Sequence, residues 1–65
     1  MIDIAKFENK KVEVFLNNGN SIKGYCLLFC DKDEFEADED CIDVENDKGI
    51  RSIYQSEVAR IEILE

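Results

Sequence analysis

The sequence predicts an all-β fold, a small barrel or sandwich of five short antiparallel strands, and three observations carry that prediction. Apolar and polar residues alternate over 11–16, the period of a half-buried strand. Asn18-Gly19 separates that run from the next, and both residue types tolerate the positive φ of a tight hairpin. The second run, 21–30, is long and apolar and holds Gly24. A glycine inside a strand marks a sharp bend or bulge, and one long strand bent there can serve both halves of a small barrel.

The elements follow in order. A short N-terminal helix is predicted over 3–8, with Asp3 as N-cap and Ile4 and Phe7 spaced i and i+3 on its inner side. In the first strand Val12, Val14 and Leu16 share one face, with Glu13 and Phe15 on the other. After the second strand, 30–33 reads as a polar turn. A third strand is predicted with Phe35 and Ala37 on one face and Glu34, Glu36 and Asp38 on the other. It continues through Ile42 and Val44 after an irregular 38–40. Residues 46–49 form the next turn, 50–54 the fourth strand, 55–57 a very short connection and 58–64 the fifth strand. Five short strands with turn signals between them make a barrel or a sandwich.

The chain of 65 residues is expected to be one domain, 1–65. A core of this size is marginal, so association with further copies would help it. Hydrophobic residues make up 45% of the chain, enough to argue against disorder despite the charge. Sixteen acidic residues face eight basic ones, a net charge of −8. That balance opposes polyanion binding except at a local basic patch, because lysine and arginine supply most nucleic-acid affinity. No apolar stretch is long enough to span a bilayer, and 1–11 lacks the basic-then-apolar pattern of a secretory leader. The three cysteines, an odd number, fit free thiols in a reducing compartment. The expectation is a soluble cytoplasmic protein.

Several positions resemble the Sm/LSm family, including its bacterial Hfq branch, over about 4–64. Val12, Phe15, Leu16, Asn18 and Gly19 resemble the first strand and turn of Hfq. Gly24 falls on the family's second-strand glycine, and Phe29, five residues on, on its aromatic. Phe35 and Ala37 take the two apolar positions of the third strand. Ile53, Val58 and Ile61 keep the apolar spacing of the second Sm motif, and Tyr54 occupies the Hfq tyrosine position. The resemblance implies a strongly bent five-stranded antiparallel barrel behind a short helix. It also implies a homo-oligomeric ring joined strand four to strand five, with Ile50, Ile53, Val58, Ile61 and Ile63 at the interface, and binding of single-stranded RNA. By the same resemblance the RNA-site positions are Glu34, Tyr54, Gln55, Ser56 and Phe29, with Lys10 and Lys11 nearby. The departures lie at that site. Glu34 stands where the family has a base-contacting asparagine. Gln55-Ser56 replaces Lys-His or Arg-Gly. Cys30 falls on the family's aspartate, with Asp31 adjacent and recoverable by a bulge.

Other candidates have plainer readings. Seven of the ten residues in 31–40 are acidic. The EF-hand calcium pattern fails there because Phe35, Glu36 and Ile42 occupy positions that need a ligand, a glycine and a glutamate. A solvated or partner-facing surface fits better. On one regular strand Cys26 and Cys30 share a face about 13 Å apart, too far for a disulfide. Together with Cys41 they supply three sulfurs and no histidine, so a structural zinc site lacks its usual fourth ligand. At least two of them are read as small core hydrophobes, with no metal and no cofactor. Tyr25, Phe29 and Tyr54 read first as packing residues, and Lys6, Lys10, Lys11 and Lys23 as solvated lysines or one basic patch. With no histidine and no serine beside an evident base, no catalytic group is assigned. Two functions stand: an RNA-binding ring, or an acidic module that binds a basic protein or mimics nucleic-acid charge.

Overall fold

The computed structural model describes residues 3–64. Its strands are β1 (Lys10–Leu16), β2 (Ser21–Cys30), β3 (Cys41–Asn46), β4 (Gly49–Tyr54) and β5 (Val58–Ile63), with single 3-10 turns at Ile4–Phe7 and Gln55–Glu57. All neighbours pair antiparallel in one sheet of order β4-β3-β2-β1-β5.

The alternation in β1 places Val12, Val14 and Leu16 inward, where each is 5% exposed or less. Cys26, Ile42, Val44, Ile53 and Val58 from the other strands join them, with Ile4 and Phe7 closing one end. Burying each large aliphatic side chain contributes about 1.5–3 kcal/mol.

The sheet curls around this core but does not close into a barrel. The short Gln55–Glu57 turn carries the chain away from β4 and delivers β5 to the far side of β1. There Ile61 faces Val14, and Val58 faces Leu16 across a register shift. Strands β4 and β5 are therefore the two edges of the sheet.

Two further expectations change. The N-terminal helix is one 3-10 turn. Asp3 caps it, its Oδ1 accepting from the Ala5 amide at 3.2 Å, but Asn9 at φ 65° swings the chain into β1 before a second turn can form. The predicted strand around Phe35 and Ala37 is a loop. Asp31 Oδ1 accepts from the Asp33 and Glu34 amides, while the Asp31 and Lys32 carbonyls accept from Phe35 and Ala37. These local bonds take the donors a ladder would need. Phe35 is 53% exposed as a result. The third strand starts at Cys41, and its inward apolar pair is Ile42 and Val44.

At Gly24 strand β2 runs close against β3. A Cβ on Gly24 would fall against the Glu45 carbonyl oxygen and 2.7 Å from Val44 Cγ1. Two residues further on, the β2–β3 register shifts between Cys26 and Leu28. This bulge reverses which side chains face inward, so Phe29 packs on the core and Cys30 points away from it. Gly24→Ala is expected to lower stability by about 1–3 kcal/mol or more, since backbone must move to admit the methyl. Urea unfolding of the variant against wild type measures this.

Candidate functional site

The turn before β5 gathers polar side chains from three parts of the chain. The Tyr54 amide donates to Glu57 Oε1 at 3.0 Å, which fixes the start of the turn. Asn17, beyond the end of β1, donates from Nδ2 to the Ser56 carbonyl at 2.8 Å and from its amide to the Glu57 carbonyl at 2.9 Å. The acidic loop closes over the other side. Glu39 accepts from the Ser56 amide at 2.7 Å and from Ser56 Oγ at 3.1 Å, one carboxylate oxygen to each. The Asp40 carbonyl accepts from the Gln55 amide at 2.9 Å, and Asp40 Oδ1 from the Lys32 amide at 2.8 Å.

Lys32, Glu39, Asp40, Gln55, Ser56, Val58 and Ala59 line an open cleft of about 850 Å³ here. Beside it Tyr54, 44% exposed, faces 36–39. The cleft thus presents two carboxylates, one ammonium and a flanking aromatic ring. Charge-assisted bonds from carboxylates to backbone amides are strong for their kind, and they hold the loop on the turn.

The other site residues named from the sequence are scattered. Glu34 lies exposed in the loop, its amide on Asp31. Phe29 is partly buried and packs against the core, and its amide donates to Glu8 Oε2 at 2.9 Å. Lys10 and Lys11 begin β1 at the end away from Asn17, about 20 Å along the strand from the turn. Of the five interface residues, Ile53 and Val58 are core, Ile61 is half-buried, and Ile50 and Ile63 are exposed at the sheet edges.

The cysteines also divide. Cys26 is fully buried, and burial pushes its thiol up from the ordinary value. Cys30 and Cys41 are partly buried and directly opposed across the β2–β3 ladder. Two thiols therefore lie on the outer face and only one in the core. Burial, then a hydrogen bond with Cys30 and the charges of Asp43 and Asp40, push the Cys41 thiol up to about 11. On the same face Asp43 accepts from Ser52 Oγ at 2.7 Å. Cys30, Cys41 and Asp43 bring their ligand atoms within 4.8 Å of one another. This cluster was missed from the sequence, because nothing in the spacing of Cys30 and Cys41 sets the strand register.

Comparison of the chain with family models, with curated proteins and with solved structures finds no match. Among the described residues no helix is long and apolar enough to cross a membrane.

The Cys41 shift makes stability depend on pH. Between the ordinary thiol value of 9.0 and about 11 the unfolded chain has lost a proton that the folded chain keeps. Stability therefore falls as pH rises through that window. Urea unfolding at about pH 8 and about pH 10 is expected to show a smaller loss for Cys41→Ser than for wild type.

Proposed function

We propose that the chain is a non-catalytic, Sm-like module that assembles with copies of itself, and that its acidic turn receives a basic protein segment. Self-association rests on one observation, the strand order. It leaves β4 and β5 as two six-residue edges. Ile50 on one edge is 61% exposed and Ile63 on the other 47%. Unpaired edge amides and carbonyls are a template for another strand. Pairing β4 of one copy with β5 of the next covers both edges and repeats head to tail, which ends in a ring when the rotation closes.

Two features support the Sm-like reading. The bulge after Cys26 moves the β2 register by one residue and puts Asp31 just past the strand end. Asp31 Oδ1 there caps the loop through two amides. The apolar residues Ile53, Val58 and Ile61 bracket the turn with the family's spacing, two in the core and one packed against it.

The ligand class follows from Glu39. At the turn where the resemblance places RNA contacts, Ser56 is held by a carboxylate. A chain of net charge −8 with acids at that turn attracts cations and repels phosphate. Single-stranded RNA is the second reading, favoured by the exposed Tyr54 ring, which has a face for stacking on a base. The absence of histidine from the chain supports a non-catalytic role, and three free thiols suit the cytoplasm.

Light scattering on a sizing column is expected to give a multiple of 7.5 kDa. Ile50→Lys or Ile63→Lys should shift the mass toward the monomer, and a wild-type monomer removes the assembly reading. In fluorescence anisotropy at low salt, a lysine-rich peptide is expected to bind and to weaken about tenfold or more with Glu39→Gln and added salt. U-rich and A-rich oligonucleotides should not bind. Saturable oligonucleotide binding lost in Tyr54→Ala would replace the basic-partner reading with the RNA one.

A further inference from the structure

The acidic loop 31–40 starts after the last residue of β2 and ends before the first residue of β3. Those two flanking residues are Cys30 and Cys41, opposed in the ladder. Asp43 is two residues along β3 from Cys41, so its side chain leaves the same face. We propose that Cys30, Cys41 and Asp43 bind a thiophilic divalent cation of the zinc class, which clips the loop at its base.

Donor chemistry, geometry and support all point the same way. Two sulfurs and one carboxylate oxygen select a borderline-soft cation over calcium or magnesium, which take all-oxygen shells. In a tetrahedral zinc centre, ligand atoms stand about 3.5–3.8 Å apart. Here all three already lie within 4.8 Å of one another. The site stands on the β2–β3 ladder, with β4 on its flank, and a metal site on strands is held more firmly than one on a loop. Ser52 on β4 donates to Asp43 Oδ1 at 2.7 Å, which orients the carboxylate and leaves its second oxygen for the ion. Three protein donors leave a fourth position for solvent.

Charge and proton balance are consistent. Binding converts two thiols to thiolates and releases two protons to the buffer. Two thiolates and the carboxylate then place three negative charges around a dication. The bound ion joins the two strand ends and restrains the loop whose Glu39 holds Ser56. This inference is independent of the ring and of its ligand.

Cadmium titration of the fully reduced chain tests it. The expected result is thiolate-to-cadmium charge-transfer absorption that saturates at one equivalent per chain and is competed by zinc. Cys30→Ser and Cys41→Ser should each abolish the band. Asp43→Asn should weaken binding about tenfold or more. Cys26→Ala, whose side chain lies in the core, should keep the band. Far-ultraviolet circular dichroism establishes that each variant is folded. A wild-type chain with no band at stoichiometric cadmium overturns the proposal whatever the variants do. So does a band of undiminished affinity in folded Cys30→Ser or Cys41→Ser.

Discussion

Strands β2 and β3 lie so close at Gly24 that the Glu45 carbonyl occupies the space a Cβ would need. Most of the remaining structure depends on that contact and on the bulge that follows it. The close approach lets the long β2 pair with β1 along one part and with β3 along the next, which curls the sheet over its core. The bulge then inverts the inward set, sending Phe29 to the core and Cys30 to the outer face. Without that inversion Cys30 and Cys41 would not share the outer face with Asp43.

The loop 31–40 shows how a dense run of carboxylates is tolerated. Its acids are used first on backbone amides: Asp31 on two within the loop, Asp40 on that of Lys32, and Glu39 on that of Ser56 in the turn before β5. Each such bond replaces repulsion between neighbouring charges with a directed charge–dipole contact. The remaining carboxylates face solvent, where screening is effective. A loop organised this way gives the turn an acidic border and leaves Tyr54 accessible beside it.

The sheet edges follow from the turn at 55–57. A hairpin connection would have laid β5 on β4 and left β1 as an edge. The 3-10 turn instead sends β5 to β1, and the apolar residues of β5 divide between core and edge. Val58 seals the core, while Ile63 and Ile50 remain outside at opposite ends of the sheet order. A chain of 65 residues buries a smaller share of its surface than a larger domain does. Exposed isoleucines beside unpaired backbone groups are therefore a meaningful part of its surface.

The period-two alternation of Val12, Val14 and Leu16, the Asn18-Gly19 turn and the special position of Gly24 in its strand were legible in the sequence because each is local. Side-chain parity and backbone freedom act over a few residues, and these signals place β1 and β2, while the turn signals at 46–49 and 55–57 bound β4 and β5. The third strand was displaced because Phe35 and Ala37 alternate like a strand, while the acids around them bind their own backbone more favourably. The order in which strands pair, the open edges, Glu39 on Ser56 and the meeting of Cys30, Cys41 and Asp43 were decided only in the tertiary structure. Each depends on register between segments far apart in the chain. A one-residue bulge, which leaves no unique mark in the sequence, changes that register and every partner beyond it.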